Sequence, residues 1–143
     1  MYFGFRKMIE EPDRLLARKG LGRVHHRVLF FVARRPGLSV GDLLSILAVS
    51  KQSLHGPMQR LAASGLLESR PHPKNRRIKR LYLTRDGRTF EHRLSGIQRD
   101  LFRRAFRARG RAAEAGFRSV LRDVGEGRAE AVLAEAWTTS AIP

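Results

Sequence analysis

The side chains best equipped for recognition chemistry fall in two short stretches. In the first, Lys51, Gln52, His55, Gln59 and Arg60 are spaced so that a helix turning Leu54, Met58 and Leu61 inward leaves them on or near its outer face. A glutamine amide pairs bidentately with adenine, and lysine or arginine with guanine, so this face can read base edges in a major groove. Ser50 and Ser53, at the start of the same helix, suit phosphate contacts. In the second stretch, Ser69 to Arg80, stand Arg70, Lys74, Arg76, Arg77, Lys79 and Arg80, with no acid among the twelve residues. Six such charges repel one another unless a polyanion compensates them, which disfavours a merely solvated hairpin. Arginine also suits a narrow, electronegative minor groove better than lysine does.

The whole chain has the same bias. Its 143 residues hold 29 Lys and Arg against 13 Asp and Glu, a formal charge of +16. That excess favours nucleic acid first and an acidic membrane surface second. Hydrophobic residues at 42% are enough for one folded domain with terminal extensions. The longest wholly apolar run, Val28 to Ala33, is six residues, too short for a membrane span. No apolar signal core opens the sequence, so a cytoplasmic protein is expected. With no cysteine, disulfides, thiolate nucleophiles, cysteine-ligated zinc and a cysteine-based oxidant switch are excluded. No Ser-His-Asp set, paired-carboxylate motif or phosphate loop points to an enzyme. His25 and His26 are adjacent and point about 100° apart on a helix, a poor arrangement for sharing a metal.

These residues need elements to position them. Met1 to Glu10, rich in aromatic and apolar side chains, reads as a helix, Glu11-Pro12 as a break, and Pro12 as the first turn of a short helix ending at Gly20 or Gly22. Arg23 to Arg34 is a helix with Val24, Val28, Phe31 and Val32 on one face. Ser39 and Asp42 have capping-box spacing, and Val40, Leu43, Leu44 and Leu47 follow at helical intervals. After a tight turn at Ala48-Val49, Ser50 caps a second helix that Gly65 stops, giving the sequence form of a helix-turn-helix. Extended runs at Leu66 to Arg70 and Ile78 to Leu83 flank a polar tip, Pro71 to Arg77, and form a basic wing. Thr84 caps a long helix carrying Phe90, Leu94, Ile97, Leu101 and Ala105, with Phe102 and Phe106 beside them. A helix from about Ala112 to Val124 and a short one from Arg128 to Trp137 complete the chain. Gly56-Pro57 is at odds with this pattern, because proline inside a regular helix costs about 3 kcal/mol. A kink or a reorganised first turn is expected there.

The strings Arg27-Val28-Leu29, Pro36-Gly37-Leu38-Ser39-Val40, Asp42-Leu43-Leu44, Leu61-Ala62-Ala63-Ser64-Gly65-Leu66-Leu67, Asn75-Arg76-Arg77 and Leu83-Thr84-Arg85-Asp86-Gly87 together resemble the MarR-type transcriptional regulators. His25 to Leu29 and Lys51 to Leu54 are similar to its PetP-like branch. The resemblance implies a homodimer held by N- and C-terminal helices, with one winged head per subunit and an arginine of the wing in the minor groove. It also implies an effector cleft beside His26 and Phe30. Where the family carries aspartate this chain has Asn75, which predicts a less ordered wing tip.

The expected fold is mostly α with a small β-wing: a winged helix-turn-helix head at residues 23–87, N-terminal dimerisation helices at 1–22, and C-terminal dimerisation helices and tail at 88–143. Tyr2, Phe3, Phe5, Phe90, Leu94, Ile97, Leu101, Phe117 and Leu121 are expected at the dimer interface, since a monomer leaves the apolar start uncovered. DNA contacts are expected from Ser50, Lys51, Gln52, Ser53, His55, Gln59 and Arg60, and from Arg70, Lys74, Asn75, Arg76, Arg77 and Lys79 in the wing. The basic stretch Arg99 to Arg122 holds eight arginines against Asp100 and Glu114, of which Arg99, Arg103, Arg104, Arg107 and Arg109 are expected on the solvent face. The partner is double-stranded DNA, no cofactor or membrane is needed, and a small effector of unknown identity is allowed for. The chain therefore reads as a site-specific regulator, most simply a repressor, on a pseudo-palindromic operator. The competing reading is an architectural DNA binder without sequence preference; RNA or lipid binding ranks below both.

Overall fold

A computed structural model describes residues 1–127. Helices α1 (Tyr2–Ala17) and α2 (Arg23–Arg34) precede a two-residue strand β1 (Leu38–Ser39). Helices α3 (Val40–Leu47) and α4 (Lys51–Ala63), strands β2 (Leu67–His72) and β3 (Asn75–Leu83), and helices α5 (Arg85–Arg109) and α6 (Arg111–Val124) follow. The sheet is antiparallel in the order β1-β3-β2. Among the described residues, no helix is long and apolar enough to cross a membrane. The short helix expected from Arg128 to Trp137 lies outside the described residues.

The chain forms two compact units, Met1–Ile97 and the part beginning at Gln98. The first has a core in which Leu16, Val28, Leu29, Val32, Leu43, Leu54, Leu61, Leu81 and Leu94 are almost wholly buried. In the second, Gly110, with φ +85°, separates α5 from α6, and Phe102, Phe106 and Phe117 pack ring against ring at 5.6–5.9 Å.

Pro12 corrects the local expectation. The helix does not break at Glu11-Pro12: α1 runs through it, with Pro12 buried beside Ile9, Leu15 and Leu16. Its apolar stripe continues on both sides of the proline, and side-chain pairs Glu10–Arg14 and Glu11–Arg14 bridge it. One missing backbone donor is outweighed by apolar burial and these short-range pairs. Helix α4 likewise continues through Gly56-Pro57 as one element, anchored by buried Leu54 and Leu61.

Two further expectations gave way. The wing is longer than the apolar runs suggested: pairing continues to His72↔Asn75, with an irregularity between Pro71 and His72, so Pro73 and Lys74 alone make the turn. Strand pairing depends on backbone groups, which the polar side chains of the tip do not disturb. Phe90 and Leu94, expected at a dimer interface, are instead 9% and 0% exposed in the core of the first unit, and Ile97 packs against that core. Their apolar surface is covered within one chain. Strand β1 was not anticipated; Leu38 and Ser39 pair with Leu81 and Arg80 just before Ser39 caps α3.

One contact fixes the junction between wing and α5. Thr84 donates its hydroxyl to the Gly65 carbonyl at 2.6 Å and accepts the Gly87 amide at 2.9 Å, while its own amide reaches the Leu66 carbonyl at 3.2 Å. A Cβ on Gly87 would lie 2.0 Å from that Leu66 oxygen. Gly87→Ala is therefore expected to destabilise the fold by about 1–3 kcal/mol or more, read as a lowered midpoint in urea or thermal unfolding.

Candidate nucleic-acid interface

Helix α4 is set by caps and by its buried side. Ser39 and Asp42 hold the start of α3 reciprocally: the Asp42 amide donates to Ser39 Oγ at 3.1 Å, and the Ser39 amide donates to Asp42 Oδ2 at 3.1 Å. The Ser39 hydroxyl holds the Asp42 carboxyl below the ordinary carboxylate range. Helix α3 ends on Ala48 in the left-handed region, φ 53°, which turns the chain into α4 within three residues. Ser50 then caps α4, accepting the Ser53 amide at 3.2 Å. The Ser50 and Ser53 hydroxyls lie 2.7 Å apart, so one of them donates to the other.

Leu54 and Leu61 are buried and Met58 half-buried, while Lys51, Gln52, Ser53, His55, Gln59 and Arg60 are all exposed. At 100° per residue, Gln52 and Gln59 lie close to the direction opposite Leu54 and Leu61. Lys51, His55 and Gln59 also edge a groove of about 300 Å³ between α4 and β2, floored by Val40, Leu54, Met58, Leu67 and Leu81. Arg60 stands apart from this set. Its guanidinium lies over Gly20, so close that a Cβ there would be 2.6 Å from Nη2.

The wing residues divide in the same way. Arg70 forms an ion pair with Glu68 and stacks over Tyr82 at 4.7 Å, both on the sheet itself. The side chain of Asn75 accepts the Arg77 amide at 3.1 Å, and His72 Nδ1 accepts the Lys74 amide at 3.1 Å. The asparagine thus pins the tip through its carbonyl, a role that needs no carboxylate. Lys74, Arg76, Arg77 and Lys79 are exposed and make no ion pair among the described residues. Arg80, part of the same basic run, donates to the Gly37 carbonyl at 2.8 Å and ties the base of the wing to the turn before β1.

A second polar group, on α2 and α5 of the first unit, escaped the sequence reading. Arg34 donates to Glu91 Oε1 at 2.8 Å and to the Phe30 carbonyl at 2.9 Å, and its guanidinium lies 3.4 Å from the centre of the Phe30 ring. Ser95 donates to the same Glu91 oxygen. Glu91 is 7% exposed, beside core residues Phe90 and Leu94. An acid on the edge of a buried stripe is the signal for such a pair, because a buried carboxylate requires partners. Phe30 is thus capped by Arg34, and nearby His26 has its Nε2 enclosed without a hydrogen-bond partner. His25 is used locally, its Nδ1 accepting the Gly22 amide at the start of α2.

Burial pushes the His26 imidazole below its ordinary value of 6.5; Arg34 acts in the same direction, while Glu91 and Asp13 oppose it. Burial also lowers His25. A lowered folded pKa means that the unfolded chain binds more protons between the folded value and 6.5, so stability falls as pH drops through that window. The thermal midpoint should therefore decline from about pH 6.5 downward. His26→Gln should flatten part of that decline, leaving the share due to His25.

A model of the MarR family matches residues 19–78. Over 121 residues the chain is 45% identical to the HTH-type transcriptional regulator PetP of Rhodobacter capsulatus, covering 85% of this chain and 73% of that protein. The crystal structure of MarR is similar with a TM-score of 0.71 at 24% identity, covering 90% of this chain and 86% of the other. A MarR transcriptional regulator from Methanosarcina mazei gives a TM-score of 0.71 at 17% identity, covering 88% and 84%. At these identities the two structures establish the winged-helix fold.

Proposed function

Because the chain belongs to the MarR family, we propose that it reads one operator as a homodimer, through α4 in the major groove and the wing in the minor groove. It is a DNA-binding transcriptional regulator of the winged helix-turn-helix type. The observation that carries the operator reading is the face of α4: Gln52 and Gln59 point outward with Lys51 and His55 beside them, adjoining a wing whose Arg76 and Arg77 side chains make no ion pair among the described residues. Ser50 and Ser53 sit where phosphates would meet the helix start. Lys74 and Lys79 add charge to the wing, Asn75 orders its tip, and Arg70, paired with Glu68, and Arg60, lying over Gly20, are exposed beside the reading elements.

The dimer rests on apolar surface that one chain leaves open. Tyr2, Phe3 and Phe5 of α1 are exposed, as are Phe117, Val120, Leu121 and Val124 of α6, and Leu101 is half-covered. A two-fold symmetric pairing buries such stripes and places two α4 helices on half-sites about 10 bp apart. Repression follows if that operator overlaps a promoter. An anionic effector entering beside His26 and Phe30 would compete with Glu91 for Arg34.

Two experiments test this. The purified protein, at about physiological salt, should prefer one short inverted repeat from genomic fragments around its own gene by about a thousandfold over random DNA. Arg77→Ala should weaken binding to most sequences and flatten the salt dependence. Gln52→Ala or Gln59→Ala should shift base preference by about 1–3 kcal/mol. Equal affinity of the wild type for every fragment would show an architectural DNA binder instead. For the dimer, Leu121→Glu with Val124→Glu should reduce the mass measured by sedimentation to that of one chain, and an unchanged mass would place the interface elsewhere.

A further inference from the structure

The centre of the outward face of α4 is not a side chain but a gap. One turn from Gln52 and nearly one turn from Gln59 lies Gly56, exposed like both of them and like Ala63 further along the same face. Glycine is among the least favourable residues in a helix interior. Beyond its chain neighbours and the backbone of its own helix, a Cβ on Gly56 would meet no atom within 4 Å, so no other element of the protein requires the glycine on grounds of space. We infer that Gly56 is a specificity-determining position, a bare strip of helix backbone that lets the base edges of the major groove approach closely enough for Gln52 and Gln59 to reach them.

The geometry of that approach makes the glycine matter. A methyl group at position 56 would stand off the Cα by about 1.5 Å. Bidentate glutamine–adenine pairing requires donor–acceptor distances no longer than about 3.2 Å, so displacing the helix by that amount breaks it on both sides of the added methyl. Each adenine read this way is paired to a thymine, whose C5 methyl projects into the same groove and needs room against the helix. The bare backbone between two adenine-reading amides provides that room.

Pro57 supplies a competing reason for the glycine, because the proline ring crowds a Cβ on the residue before it in a helix. The two causes separate by substitution. Pro57→Ala removes the crowding, and Gly56→Ala on top of it adds the Cβ to a regular helix. This inference rests on the operator reading above, so the first measurement is wild-type preference for a selected site over random DNA. Affinities for both DNAs and thermal midpoints are then compared among wild type, Pro57→Ala and the double variant. The double variant is expected to melt above wild type and to bind random DNA within about threefold of Pro57→Ala. On the selected site it should be weaker than Pro57→Ala by about tenfold or more. Equal affinity of the two variants for the selected site would overturn the inference and leave the glycine as an accommodation to Pro57. A wild type without any preferred site would instead overturn the operator reading, and the role of Gly56 with it.

Discussion

The packing of Gly87 on the Leu66 carbonyl constrains everything in the head that faces outward. Thr84 closes the same junction by bonding to Gly65 and Gly87 with one hydroxyl, so the end of α4, the start of β2, the end of β3 and the start of α5 meet within a few ångströms. The wing leaves and returns through this point. Its direction relative to α4 is therefore set by backbone contacts at its base and not by the polar residues at its tip. A second tie, Arg80 to the Gly37 carbonyl, holds the other side of the sheet to the turn after α2. With β1 added to β3, the wing is the free end of a three-stranded sheet whose rooted end lies in the core.

Charge in this protein divides into what the fold uses and what it leaves available. Arg34 satisfies buried Glu91, Arg23 binds Asp13 at 2.9 Å, Arg70 lies between Glu68 and Tyr82, and Arg80 is spent on a carbonyl. Exposed pairs such as Lys7–Glu10 are screened by solvent, so their arrangement says little about stability. Arg34–Glu91 is different, because removing Arg34 leaves a carboxylate with little access to water. On the proposed reading elements, Lys51 of α4 and Lys74, Arg76, Arg77 and Lys79 of the wing are exposed and make no ion pair among the described residues, so a polyanion can neutralise them with release of counterions.

The two internal prolines show how a local rule is overridden. Pro12 and Pro57 each remove a backbone donor, yet each sits in a helix fixed on both sides by buried residues: Ile9, Leu15 and Leu16 in one case, Leu54 and Leu61 in the other. Helix stability in a folded protein comes chiefly from packing of the apolar face. Where that face continues past the proline, the helix continues with it.

The sequence alone determined what depends on periodicity, caps and turn residues. The ranges of α2 and α4, the Ser39–Asp42 and Ser50 caps, the Thr84 start of α5 and the outward set of Gln52, His55 and Gln59 all follow from the positions of leucines and capping hydroxyls. Those signals are local, within about a helical turn, so one chain read in order contains them. Only the tertiary structure decided matters that depend on residues far apart. It placed Phe90 and Leu94 in the core of one chain, paired Leu38 with Leu81, joined Arg34 to Glu91 across 57 positions, set Arg60 over Gly20 and paired Arg70 with Glu68. Arginines in a basic run look alike in sequence. Which of them faces a carboxylate, a ring or open solvent is set by what the fold brings alongside.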